Sequence, residues 1–225
     1  MFDVLFEDNH LIAVNKKAGE VVQPDPDGSR ALSDDVAEWV AKKYNKKGKA
    51  FLGVAHRIDR PVSGVVLFAK TSKALIRLNE LFRDRKVEKI YWALVEGKPE
   101  KETLEMVHYL ARNQKTNKSF IYETEAEGRQ VAMLSYKVIE YFDRYTLLEI
   151  QLGTGRHHQI RAQLSYIKLP IKGDVKYGAR RSNEDRSICL HARSLKLTHP
   201  VKNEPIEITC PLPDSSAWPK KKGTD

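Results

Sequence analysis

Short apolar or alternating runs closed by turn formers dominate the chain, and a helical period replaces them in three places. DVLFEDNHLIAVNKKAGEVV, starting at residue 3, predicts two short strands around a turn at Asp8-Asn9, with another turn at Lys17-Ala18-Gly19. After the turn-rich PDPDGSRA, the stretch SDDVAEWVAKKY predicts a helix over 33–44. Ser33 is its N-cap, with acids in the first turn and lysines in the last. FLGVA (51–55) and GVVLFA (64–69) have the length and β-branched content of buried strands, which makes HRIDRPVSG (56–64) a strand-to-strand loop. TSKALIRLNELFRDRK predicts an amphipathic helix with Thr71 and Ser72 as capping candidates and an apolar stripe of Leu75, Leu78, Leu81 and Phe82. VEKIYWALVEG alternates as a strand, carries Tyr91 and ends at Gly97.

Residues 100–128 are polar and irregular and predict little beyond a variable hairpin. QVAMLSYKVIEYF and YTLLEIQLG read as an antiparallel pair joined across Asp143-Arg144. GRHHQIRAQLSYI predicts a helix starting just after Gly155, on which Arg161 lies four residues after His157 and faces the same way. SICLHARSLKLTH and EPIEITCPLP supply the last strands. Strands outnumber helices, hairpins dominate and no βαβ series with a glycine-rich phosphate loop occurs. The expected class is therefore α+β, built on a large mixed, mostly antiparallel sheet with flanking helices. At 225 residues one main domain over 1–216 is expected, with a basic, flexible tail at 217–225.

Composition narrows the setting. No segment approaches the roughly 18 consecutive apolar residues of a membrane helix, and the N-terminus lacks the pattern of a secretory signal. Two cysteines, Cys189 and Cys210, are too few for a disulfide scaffold and are spaced unlike a zinc knuckle, so buried thiols in a cytoplasmic protein are expected. The net charge of +9 is concentrated: residues 156–196 hold 10 basic and 3 acidic side chains. Clustered cations suit a polyphosphate backbone, because each neutralised phosphate releases condensed counterions. A basic face serving solubility is the alternative.

The loop HRIDRPVSG crowds His56, Arg57, Asp59 and Arg60 between two apolar strands, and rigidly supported loops are where reacting groups sit. An exposed ion-pair cluster is the plainer reading of Asp59. Against it, Pro61 and Gly64 restrict and then free the backbone, and a cation from the basic helix would favour an ionised carboxylate. A zinc site at His157 and His158 is disfavoured, because neighbouring helical residues project about 100° apart. A triad through Ser63 lacks the glycines of a nucleophile elbow.

HRIDRPVSGVVLFAKTSKAL resembles the catalytic motif of the RluA-type RNA pseudouridine synthases, H-R-L-D-x-x-T-S-G. Further resemblances follow in order over residues 4–200: VLFEDNHLIAVNKKAGEVV, EKIYWALVEG, LGTGRHHQIRAQL, IKGDVKYG and LHARSLKLTHP. Ile58 stands for the usual leucine, Val62 for threonine, and His158 follows His157 where the pattern often has Thr-His. The resemblance implies a cofactor-independent and metal-free isomerisation of uridine within structured RNA, ribosomal or transfer. The N1-glycosidic bond breaks, the uracil turns, and a C5-glycosidic bond forms.

By the same resemblance Asp59 is the essential aspartate, acting at ribose C1′, at C6 of the base, or as a base at C2′. Tyr91 stacks on the uracil and is a candidate base, and Arg161 pairs with Asp59. Arg57 enters the helical stack when the uridine leaves it, a role a planar guanidinium suits, with a phosphate clamp as its other reading. Arg57, His56, Arg156, His158 and Gln159 form the expected RNA-binding and base-flipping set. Gly173, Asp174, Tyr177 and Gly178 shape the neighbouring loop, while His191 and His199 are structural. The first motif begins at Val4, leaving no room for an N-terminal S4-type module, so recognition is expected to rest on 156–196 and the loop near 42–49. No obligate protein partner is evident, and a monomer is expected. A noncatalytic RNA-binding protein and a metal-dependent phosphate-ester hydrolase are the competing functions.

Overall fold

The computed structural model describes residues 2–24, 28 and 30–219. In chain order the elements are β1 (Asp3–Glu7), β2 (Leu11–Lys16), α1 (Leu32–Lys43), β3 (Gly53–Val54), β4 (Ser63–Ala69), α2 (Ser72–Arg83), β5 (Glu88–Glu96), β6 (Thr103–Asn113) and β7 (Lys118–Tyr122). There follow β8 (Gln130–Tyr141), β9 (Tyr145–Leu152), α3 (Gln159–Tyr166), a 3-10 turn (Val175–Tyr177), β10 (Leu190–Thr198) and β11 (Pro205–Thr209). Strands joined by antiparallel pairings, with helices beside them, make this the α+β fold that the sequence predicts. No helix among the described residues is long and apolar enough to cross a membrane.

Packing groups the chain into two compact units, 1–89 with 192–211 and 90–191 with 212–225. In the first unit β2 lies antiparallel to both β1 and β4, and β10 pairs with β11. Every residue of β4 is buried, as the unbroken run SGVVLFA requires of a strand covered on both faces. α2 is capped by Thr71, whose hydroxyl accepts from Ala74 N at 3.2 Å. α1 is entered differently from expectation. Its N-cap is Ala31, whose N–H is taken by the Asp34 carboxylate, while Ser33 sits inside the first turn with its N–H bonded to Val22 O.

In the second unit β5, β9, β8, β6 and β7 follow one another across an antiparallel sheet. β6, an eleven-residue strand, forms with β7 the hairpin expected within 100–128, longer than the weak strand signals there suggest. Its inward residues Met106 and Leu110 are buried, but Val107 on the opposite face is 60% exposed, which blurs the apolar-polar alternation. α3 packs Ala162 against Leu110, Ala132 and Tyr177. Ala217 and Trp218, assigned by the sequence to a flexible tail, are buried, and Ala217 O accepts from Lys172 Nζ. The rest of that tail, from Lys220, lies outside the described residues. Both cysteines are buried, and burial pushes the Cys189 thiol up to about 11 and that of Cys210 to about 12.

Candidate active site

Apart from Tyr91 on β5, the candidate residues fall on two segments, one in each unit. The first is the connection between β3 and β4, which HRIDRPVSG predicts. Beneath it lies Lys16, the last residue of β2, directly opposite Gly64 in the β2–β4 ladder. Lys16 is fully buried, and its ammonium donates to three carbonyls, Lys17 O at 2.9 Å, Arg60 O at 3.2 Å and Val62 O at 2.7 Å. An ammonium has three donors, and all three have acceptors. Burial lowers the Lys16 pKa to about 8, against the attraction of the Glu20 and Asp59 carboxylates.

Other bonds complete the bracing. Gly19 N donates to Arg60 O at 2.7 Å, and Arg60 Nε returns a bond to Gly19 O at 3.0 Å, which gives Arg60 a latching role. Val62 N donates to Asp59 O, and Ile58 and Val62 are buried on either side of Asp59 in the chain. Gly64 closes the loop at φ +122°, where a Cβ would stand 2.4 Å from Ala192 O, so no other residue fits there. His56 Nε2 accepts from Leu67 N at 2.9 Å, and its ring stacks on Phe82 of α2 with centroids 4.7 Å apart. Burial, aided by the charge of Lys89, pushes its pKa down to about 3, so His56 is a neutral anchor of the loop rather than a cation for RNA. Arg57 is exposed.

The second segment leads from β9 into α3. The helix starts at Gln159, later than predicted, because His158 takes a left-handed conformation (φ +53°) and ends the helical geometry on its N-terminal side. His157 therefore does not share a helix face with Arg161. Its ring stacks on that of His158 with centroids 3.8 Å apart, in place of the divergence a helix would impose. Ser119 Oγ lies 2.9 Å from His157 Nδ1 and donates to His157 O at 2.7 Å. His158 Nδ1 lies 3.0 Å from the Tyr177 hydroxyl, which accepts from Ser119 N. Burial first, then the nearby charge of Arg161, pushes His158 down to about 2, so this imidazole is neutral.

Gln159, predicted to touch RNA, is instead 2% exposed and committed within the fold. Its Oε1 accepts from Thr154 Oγ1 at 2.6 Å and Arg156 N at 3.0 Å, and its Nε2 donates to Met133 O at 3.0 Å. Arg156 is half-buried, with Nε donating to Val131 O. Arg161 is buried on α3, and its Nε and Nη2 donate in parallel to Asp174 Oδ2 at 2.6 Å and Oδ1 at 2.8 Å. Such a two-point pair fixes the plane of the guanidinium. The face of Tyr177 lies 5.0 Å from Arg161 Cζ. Asp174, expected to shape a loop, is thus also the carboxylate that orients Arg161. Tyr91 is buried on β5, opposite Ile150 of β9.

Lys16, within VLFEDNHLIAVNKKAGEVV, is not among the residues expected to serve the site. The signal was there: LIAV shows no polar alternation, so the strand is covered on both faces and the lysine ending it is buried too. His191 and His199 are buried structural residues, as expected. The His191 ring meets Trp218 edge-on, and His199 Nδ1 accepts from Val201 N and Lys202 N.

Comparison with known proteins assigns the family. The family model described as RNA pseudouridylate synthase matches residues 10–166. An RNA pseudouridine synthase of Bacillus subtilis is 32% identical over 96% of this chain and 70% of its own length. A ribosomal large subunit pseudouridine synthase C of Vibrio vulnificus is 34% identical over 93% of this chain and 65% of its own length. Among solved structures, human RNA pseudouridylate synthase domain containing 4 superposes with a TM-score of 0.77 at 26% identity, covering 94% of this chain and 89% of that one. With the ordered motifs, the braced aspartate loop and these relatives in agreement, the chain belongs to the RNA pseudouridine synthases, isomerases that convert uridine within RNA to pseudouridine.

Proposed function

We propose that Asp59 is the catalytic carboxylate of this isomerisation, acting on structured RNA without a cofactor. The observation that carries the reading is the loop itself: a buried ammonium, a neutral imidazole and an obligatory glycine hold the main chain around one carboxylate-bearing residue. Positioning of that quality is what a reacting group needs, since small displacements cost large factors in rate. The reaction conserves every atom. The N1–C1′ bond breaks, the base turns and C5–C1′ forms, and the proton leaving C5 is balanced by one gained at N1. No oxidant or reductant is required.

In this reading Asp59 acts at the sugar or at the base, Tyr91 stacks on the uracil and takes the late proton, and Arg161 pairs with Asp59. The Asp174 bond supports that role by holding the Arg161 plane. Arg57, exposed on the loop, fills the space left in the helical stack when the uridine turns out, a step costing a few kcal/mol. Ribosomal RNA is the favoured substrate, because a relative 34% identical is named for the large ribosomal subunit. Transfer RNA is the other substrate class.

The test is to map pseudouridines in ribosomal and transfer RNA from cells with the gene, without it, and with Asp59→Asn. A uridine converted only with the parent gene supports the assignment. Conversion at the parental rate by Asp59→Asn removes Asp59 from the chemistry, and unchanged RNA on deletion removes the proposed substrates.

A further inference from the structure

Within the second unit, four of the ten cations from the basic segment 156–196 converge on one cleft. Lys168, Lys172, Arg180 and Arg181 line a space of about 750 Å³, and Arg144 joins them from the β8–β9 turn. Among the described residues lining it, Glu96 is the one carboxylate. Like charges gathered in this way repel unless an anion lies among them, whereas a basic surface kept for solubility gains by spreading its charges.

The cleft has a firm frame. Gly97 N donates to Arg144 O at 3.0 Å, Glu96 N to Pro170 O at 2.9 Å, and Arg180 N to the Glu96 carboxylate at 3.1 Å. Glu96 does little to neutralise Arg180, whose guanidinium is 4.0 Å away and whose side chain is 92% exposed. Lys172 stands with Nζ 5.1 Å from the centre of the Tyr145 ring. The same stretch of chain that brings Lys172 and Arg180 to the cleft carries Asp174, the partner of Arg161, between them.

We propose that this cleft is a docking groove for the phosphodiester backbone of the RNA substrate, separate from the residues that handle the uridine. The proposal rests on the RNA-modifying function above and adds where the backbone is held. The cleft is open and roomy for a single phosphate, and its cations come from three separate turns, which suits an extended polyanion.

The test is fluorescence anisotropy with a fluorescein-labelled RNA stem-loop, titrated with full-length protein over a series of salt concentrations. The triple variant Lys168→Gln, Arg180→Gln, Arg181→Gln changes exposed side chains. It is expected to lower the slope of log K against log salt by about two to three and to weaken binding about tenfold or more near 0.1 M salt. A control triple, Lys73→Gln, Lys86→Gln, Lys101→Gln, removes the same charge elsewhere and is expected to keep most of the parental slope. Equal falls in the two triples overturn the groove, as does a parental slope in the first.

Tripolyphosphate that binds the parent more tightly than the stem-loop does would show that the cleft takes a small polyphosphate, overturning RNA as its occupant. Failure of the parent to bind the stem-loop would overturn the groove, while the pseudouridine mapping decides the RNA-acting function by itself. Asp59→Asn conversion assays test the chemistry independently, so a failed groove and a failed catalytic assignment are told apart.

Discussion

Between 55 and 62 the chain is braced largely through main-chain atoms, with His56 and Arg60 the loop side chains that join in. Lys16 collects three carbonyls, two of them from the loop, the imidazole of His56 accepts an N–H from β4, and Gly19 and Arg60 bond through their backbones. Between 154 and 161 the bracing runs through the suspected side chains themselves. His157 is bonded to Ser119, His158 to Tyr177, Gln159 to Thr154 and Met133, and Arg161 to Asp174. Two stretches rich in polar residues thus divide differently between structure and chemistry. A loop held largely by its backbone can carry a side chain such as Arg57 whose replacement leaves the frame standing. A corner held by side chains loses the frame with any of them.

Stability measurements put this contrast at risk. The largest effect is expected from Arg161→Met, which leaves the buried Asp174 carboxylate without its partner and costs about 3–5 kcal/mol in urea unfolding. A cost under about 1 kcal/mol would show that the corner is not held by its side chains. Lys16→Met is expected to cost about 3 kcal/mol, because three carbonyls lose their donor and two belong to the loop. Turnover should fall with it although the substitution leaves Asp59 in place, so parental turnover would separate loop bracing from activity.

Acid probes the corner through His158. Its folded pKa of about 2 lies below the unfolded value of about 6.5, so in that interval the unfolded chain binds the extra proton. Stability is unaffected above about pH 6.5 and is lost as pH falls through the window, by about 2 kcal/mol between pH 6.5 and 5 from this residue. His158→Gln should remove that share of the slope, and an unchanged slope would mean that His158 is not held neutral. The smallest stability effect is expected at Arg57→Ala, within about 0.5 kcal/mol of the parent, together with a clear loss of turnover. A destabilisation matching that of Arg161→Met would erase the difference between the two regions.

Much of this was legible along the chain. The β1–β2 turn, the strands flanking 56–64, the Thr71 cap and the β8–β9 pair follow from local period and turn chemistry, and all are observed. The misses share a cause. The hairpin of 100–128 was expected but the length of β6 was hidden, because Val107 is apolar on an exposed face, and the start of α3 was misplaced because the Ser119 and Tyr177 bonds to His157 and His158 come from elsewhere in the chain. Gln159 and His158 look like surface polar groups in sequence, and only packing makes them interior.

What the sequence by itself determined was the class of fold, the family and the loop that bears Asp59, because periodicity, turn chemistry and the order of motifs are properties of one dimension. Which charged groups the fold uses to hold itself was decided by tertiary structure alone. Lys16 meets Val62 across 46 positions of chain, and Arg161 meets Asp174 across 13. Burial and the proton affinities that follow from it depend on which segments pack against a residue, and no local pattern encodes that.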